Sequence, residues 1–234
     1  MKNQFWPRRT LLAAGALGAS SLPTLLAQEP AVEELFPENG AAALTRLRAG
    51  NARFIAGKTR HAHEGANWRK HLVGGQRPIA TILSCSDSRV PPELVFDQGF
   101  GDLFVVRVAG NVIAADVLGS ISYAALHLRT PLFVVMGHAS CGAVTAALDH
   151  RLKDAKEPGP IAELVKLIDP ALQRIKLDGP YATTLAAAVE ANVRWSVEQL
   201  AATAGAKALL REGKTKLIGG VYELQTGEVN FLDA

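Results

Sequence analysis

Cys85, Asp87 and Arg89 crowd into one short stretch, ILSCSDSRV at residues 82–90, and each brings a different chemistry. A thiolate is a soft metal ligand or a nucleophile, a carboxylate accepts protons, and a guanidinium grips a carboxylate through paired hydrogen bonds. The other cysteine of the chain, Cys141, stands in MGHASCGAV, with His138 three residues ahead of it. Two thiolates and one imidazole are the ligand set of an open zinc site, where three protein ligands leave a fourth position for water or substrate. A closed structural site would take a fourth Cys or His. The chain has no third cysteine but carries six histidines, so this step leaves both kinds of site open.

The same two cysteines have other readings. They could close a disulfide, as thiols of exported proteins do, or form a thiol redox pair, or be buried as small apolar side chains. A structural bridge, however, needs neither Asp87 and Arg89 nor His138 beside it. Asp87 and Arg89 could in turn be a structural ion pair at a strand end. The five residues taken together favour a metal site with a control on its open position.

Such a site needs elements that bring distant segments together. Three apolar runs, PIATILS, DLFVVRVA and PLFVVMG, are short, rich in β-branched and aromatic residues, and bounded by Gly, Pro or Asp, as expected of buried strands. Between the second and third lies AADVLGSISYAALHL, in which Val117, Ile121, Ala125 and Leu128 keep helical spacing. A strand, helix, strand unit implies parallel pairing with a right-handed crossover. The predicted fold is therefore α/β, a central and mainly parallel sheet flanked by helices. Ligands of such sheets bind outside the carboxyl ends of the strands. Cys85 directly follows the first run and His138 the third, so both should emerge at one edge, with Cys141 turning back to the same point.

Elsewhere, Leu44, Leu47, Phe54 and Ile55 predict an N-terminal helix packing on the body or on a second subunit. The stretch from Gly57 to Pro78 reads as a polar loop, in which His61 and His63 are expected to be solvated. DHRLKDAKEPGP reads as a charged loop, followed by helices over IAELVKLI and over the run from Leu185 to Leu200. A last strand at TKLIGGVYEL should turn back into EVNFL as a hairpin.

CSDSRV followed downstream by GHASCGAV resembles the β-class carbonic anhydrases, and the likeness runs from LTRLRAGNARF to GGVYELQTGEVNFL. The resemblance implies one zinc per subunit on Cys85, His138 and Cys141, and reversible hydration of carbon dioxide to bicarbonate and a proton. It makes Asp87 and Arg89 the paired acid and base, with Asp87 a conditional fourth zinc ligand in a closed state. It also implies a glutamine that reaches bicarbonate across a subunit interface, for which VFDQGFGDLF offers Gln98, one residue out of step with the plant-like members. A homodimer or dimer of dimers is implied as well. Zinc acidifies a water in its open position. Two thiolates offset the charge of the metal, so activity is expected to rise towards alkaline pH. The alternatives are hydrolysis of carbon disulfide or carbonyl sulfide on the same scaffold, or a zinc-stabilised module without turnover.

Length and charge bound the rest. With 234 residues, 48% of them hydrophobic, the chain can build one sizeable core. Residues 1–27 hold Lys2, Arg8 and Arg9, no acidic residue, and an apolar stretch from Leu11 to about Ala19 that is too short to span a bilayer. This reads as an export signal, with RRTLL resembling a twin-arginine motif and an ordinary secretory signal as the alternative. The mature domain is expected at 28–234, in the periplasm and without a membrane anchor. Removing those three cations from 25 leaves 22 basic against 22 acidic residues. The balance gives no support for nucleic-acid binding.

Overall fold

The computed structural model describes residues 36–232, so the expected export segment and the boundary at residue 27 lie outside the described residues. The sheet has five strands in the order β2-β1-β3-β4-β5. These are β1 (Ala80–Ser84), β2 (Leu103–Arg107), β3 (Leu132–His138), β4 (Lys216–Tyr222) and β5 (Val229–Phe231). The first four are parallel. The fifth returns antiparallel, pairing Tyr222 with Val229, which is the expected hairpin.

The central strands are buried along their whole length, as follows when both faces of a parallel sheet are covered. Alternation decides what each side chain meets. Ile82, Val134, Met136 and Ile218 face one cluster with Ala43, Leu44 and Leu47 of α1 (Gly40–Ile55), Val144 and Leu148 of α5 (Gly142–Lys153), and Val165 and Ile168 of α6 (Gly159–Leu172). Leu83, Phe133 and Val135 face the other, with Val117 and Ile121 of α4 (Ala115–Tyr123) and Val193 and Leu200 of α7 (Tyr181–Ala202). Asn39 caps α1, its side chain accepting from the N–H groups of Ala41 and Ala42. The strand β2 forms one edge of the sheet.

Two expected loops are more ordered than their composition suggests. Within 57–78 a short helix α2 (Ala66–His71) forms, tied down where Trp68 Nε1 donates to Phe100 O at 2.7 Å. Asp149 to Lys153 continue α5 instead of leaving it. Their charges lie outward in ion pairs, Lys153 with Asp149 and Arg151 with Asp169, while Leu148 is fully buried beneath them. A charged run on the outer face of an amphipathic helix is no obstacle to that helix. A short α3 (Pro92–Val95) and an α8 (Ala204–Arg211) started by the Thr203 cap complete the described helices.

Candidate metal centre

The strands β1 and β3 are neighbours in register from Thr81 opposite Phe133 to Ser84 opposite Met136, so both leave the sheet at the same edge. Cys85 follows Ser84 directly and His138 is the last residue of β3. Between His138 and Cys141 the chain reverses through Ser140, whose φ of 54° is left-handed and marks a tight turn. Cys141 is thereby set at the amino end of α5. All three side chains are buried, and their ligand atoms lie within 4.8 Å of one another. Among the described residues no other such group of His, Cys, Asp or Glu comes together.

The chemistry of the three donors fits zinc. Two sulfurs on a tetrahedral zinc with bonds of about 2.3 Å would be about 3.8 Å apart; Cys85 Sγ and Cys141 Sγ are 3.9 Å apart. His138 Nδ1 lies 2.9 Å from the carbonyl of Ala139, which only accepts, so Nδ1 carries the proton and Nε2 presents its lone pair. That Nε2 is buried without a hydrogen-bond partner. An orphaned ring nitrogen beside two thiols is the arrangement a soft cation completes.

Protonation in the metal-free pair is lopsided. The Cys85 thiol is lowered, chiefly because the Cys141 side chain hydrogen-bonds to it, with His138 and the N–H groups of Asp87 and Gly110 adding to the effect against burial. Cys141 is raised, because it shares its proton with Cys85 and is buried, although the amides of Val144 and Ala143 at the start of α5 pull the other way. Burial works most strongly against a charged His138, but the Cys85 sulfur, the Ala139 carbonyl and the Asp87 charge together outweigh it and its pKa is raised. The two thiols thus favour a single thiolate, on Cys85, and binding a cation on both sulfurs would release the remaining proton.

Asp87 turns to Arg89. Arg89 Nε donates to Oδ1 at 2.9 Å, Nη2 to Oδ2 at 2.7 Å, and the Arg89 backbone N–H to Oδ1 at 3.0 Å. This fork holds the Asp87 carboxyl well below the usual carboxylate range. Asp87 Oδ2 is also 3.8 Å from His138 Nε2, so the anion stands at the mouth of the donor triangle while committed to the guanidinium. The paired arrangement, not a ligating one, is the state described.

Arg107 is a member of the site that the motifs did not disclose. It ends β2 opposite Ser84. From there Arg107 Nε donates to Cys85 O at 3.0 Å and Nη2 donates to Asp87 O. It clamps the backbone that carries both the first ligand and the acid. Its only sequence signal is the register of two strands.

Gln98 is not brought to this centre. Its Oε1 accepts from Arg46 Nε at 2.9 Å, its Nε2 donates to the carbonyls of Phe96 and Asp97, and the residue is 7% exposed. It lies in the turn before β2, at the amino ends of the strands, whereas the thiols lie at the carboxyl ends. Within its own chain these bonds tie Gln98 to α1 and to its own turn. His63 departs from expectation. It is held by Asp102 Oδ2 at 2.8 Å and stacked on Trp68 with ring centroids 3.9 Å apart, which leaves its side chain 10% exposed, while His61 is exposed.

Comparison with known proteins gives one answer. The profile of the family described as carbonic anhydrase matches residues 80–229. Carbonic anhydrase 2 of Mycobacterium tuberculosis is 40% identical over 200 residues, covering 83% of this chain and 94% of that protein. The carbonic anhydrase of Mycolicibacterium smegmatis is 40% identical over 193 residues, covering 82% and 93%. Among solved structures, the β-carbonic anhydrase CcaA superposes with a TM-score of 0.67 at 27% identity, covering 81% of this chain and 87% of that one. The Coccomyxa β-carbonic anhydrase in complex with acetazolamide gives 0.64 at 26% identity, covering 81% and 84%.

Proposed function

The chain belongs to the β-class carbonic anhydrases, and from that premise we propose how its own residues carry the reaction, where the enzyme works and how it assembles. It is a zinc enzyme that catalyses the reversible hydration of carbon dioxide to bicarbonate and a proton. Zinc, when bound by Cys85, His138 and Cys141, supplies a Lewis acid that makes water a competent nucleophile near neutral pH.

The observation that carries the assignment of roles is the Asp87–Arg89 fork at the mouth of the donor triangle. Asp87 accepts a hydrogen bond from the attacking water and orients it. Because Arg89 depresses its affinity for protons, Asp87 stays an anion that can accept this bond, and the proton released goes to solvent and buffer. Arg89, largely exposed, fixes the carboxylate and keeps it from turning inward as a fourth ligand. Arg107 keeps the stretch from Cys85 to Asp87 rigid, and the Ala139 carbonyl holds the His138 ring in the ligating tautomer.

Two wider proposals accompany this. Residues 1–27 are an export signal of twin-arginine type, supported by RRTLL and the short apolar stretch, which places the mature enzyme in the periplasm. The enzyme is a homodimer or a dimer of dimers, supported by the edge strand β2 and by the exposed Leu94 and Phe100 in the segment that leads into it.

The test is zinc content and stopped-flow carbon dioxide hydration on the purified protein, together with its sedimentation and the mass of its processed amino terminus. About one zinc per chain with hydration, abolished by Cys141→Ser, is expected from a three-ligand site. Turnover of carbon disulfide or carbonyl sulfide without hydration would move the chain to a different reaction.

A further inference from the structure

The turn after β2 supports one of the thiolate ligands from behind, and neither zinc motif contains it. Gly110 donates its N–H to Cys85 Sγ at 3.4 Å. Gly110 and Asn111 are both left-handed, with φ of 68° and 45°. Glycine takes this conformation freely, whereas for a residue with a side chain it is uncommon and persists only where its surroundings impose it. Two side chains of α7 impose it here. Asn192 Nδ2 donates to Gly110 O at 2.7 Å, and Ser196 Oγ donates to Asn111 O at 3.0 Å. Asn111, Asn192 and Ser196 are each 1% exposed. Asn192 lies beside Val189 and Val193, which pack in the core, and its Oδ1 is buried without a hydrogen-bond partner, so the bond from Nδ2 to Gly110 is the one that holds this amide.

The two grips are not equivalent. Asn192 holds the carbonyl of Gly110 itself, so with that peptide fixed only the φ and ψ of Gly110 separate it from the N–H that faces Cys85. Ser196 holds the next peptide, one residue farther from the N–H that faces Cys85, whereas the peptide that Asn192 grips is tied at its other end by the Asn111 N–H to Val108 O at 3.0 Å.

We infer that Asn192 is a positioning residue of the metal centre: by gripping the Gly110 carbonyl it aims the Gly110 N–H at the Cys85 sulfur and thereby tightens and tunes the Cys85 bond to zinc. The inference rests on the zinc site proposed above. A donor to a thiolate stabilises its charge and fixes its direction, and removal of such supporting partners weakens metal binding by about 10–100-fold.

The experiment compares Asn192→Ala, Asn192→Ser and Ser196→Ala with the unaltered enzyme. It measures zinc loss to a chelator, the thiolate-to-metal charge-transfer absorption of the cobalt-substituted protein, and thermal unfolding. Asn192→Ala should lose zinc about tenfold faster or more and shift the cobalt band. Asn192→Ser, which keeps a donor on a shorter reach, should fall between, and it carries the test if the alanine variant does not fold. Ser196→Ala should lose stability yet leave the band in place. Wild-type zinc loss and an unmoved band in both Asn192 variants would overturn the inference, as would equal changes in Ser196→Ala. Absence of zinc and of the cobalt band in the unaltered enzyme would instead overturn the site itself.

Discussion

Gly137, one residue before the ligand His138, offers a sharp test of how closely α7 is pressed on the sheet. A methyl group at Gly137 would lie 2.5 Å from Val193 Cγ2, and one at Gly219 of β4 would lie 2.8 Å from Val193 Cγ1. Carbon atoms in contact prefer about 3.5–4.0 Å. Val193 is fully buried, and a β-branched side chain in a helix has one strongly favoured rotamer, so it has nowhere to swing. Gly137→Ala must therefore push α7 outward by about 1 Å or distort β3. Overpacking of this kind costs about 1–3 kcal/mol, offset by about 0.4–1 kcal/mol from a stiffer unfolded chain, leaving a net loss of about 1–2 kcal/mol. Val193→Ala removes both offending methyls and, at about 0.8 kcal/mol per carbon plus a cavity, costs about 2 kcal/mol by itself. In the double variant the new methyl occupies part of the space just vacated. The double should then be at least as stable as Val193→Ala alone, a favourable coupling of about 1–2 kcal/mol. Urea unfolding of the four proteins measures this, and each kcal/mol should also appear as about 2–4 °C in Tm at this chain length. If the two losses simply add, to within about 0.5 kcal/mol, the close packing of α7 against Gly137 is wrong.

Four further outcomes are expected. Asp87→Asn should lower carbon dioxide hydration by about 10²–10⁴-fold with zinc content unchanged; full activity in the variant would remove Asp87 from the mechanism. Because Arg89 holds Asp87 below the carboxylate range, any stability the pair confers is fully present above the free-carboxylate pKa of about 3.9 and fades only as pH falls through the lowered folded value. The stability difference between wild type and Asp87→Asn should therefore be flat from about pH 5 to 9, and a slope within that window would contradict the pairing. In chelator-treated protein, alkylation followed by peptide mass spectrometry should find Cys85 modified before Cys141, since only the former is lowered. Labelling of Cys85 should also hold steady from about pH 8 to 6, where an ordinary thiol of pKa about 8.5 slows steeply; equal or reversed labelling would sink the assignment. His63→Ala, which removes the bond to Asp102 and the stack on Trp68, should open residues 57–75 to limited proteolysis without loss of zinc.

What the sequence disclosed and what it hid divide along a physical line. Cys85, Asp87, Arg89, His138 and Cys141 were legible because each sits within a few residues of a buried strand end. An apolar run with β-branched residues states its own strand, and a parallel sheet then brings strand ends to one edge. The hairpin of β4 and β5 was legible for the same local reason. The charged end of α5 was misread because charge was taken as a loop signal, when Leu148 beneath it belongs to the core and only the outer face is charged. The helix α2 has no buried residues and rests on Trp68 reaching Phe100, a contact that no periodicity reports. Gln98 was placed by counting along the chain from Cys85, and within its own chain it is engaged by Arg46 of α1 and by its own turn.

The supporting residues were illegible for a deeper reason. Arg107 acts on Cys85 through strand register, and Asn192 acts through a helix that follows the metal motif by a long stretch of chain and packs on the far side of the turn at Gly110. Neither has a local pattern, because the backbone groups they satisfy belong to other elements. The carbonyls of Cys85, Asp87 and Gly110 need partners only once the sheet has formed and buried their surroundings. A metal site is therefore written twice in this chain. Its ligands are set by local motifs, while the geometry that makes them bind one metal tightly depends on polar residues placed in otherwise apolar elements. Asn192 and Ser196 amid the valines of α7 are such residues, and a buried amide or hydroxyl in a core helix is the trace to look for when the ligands are known and their support is not.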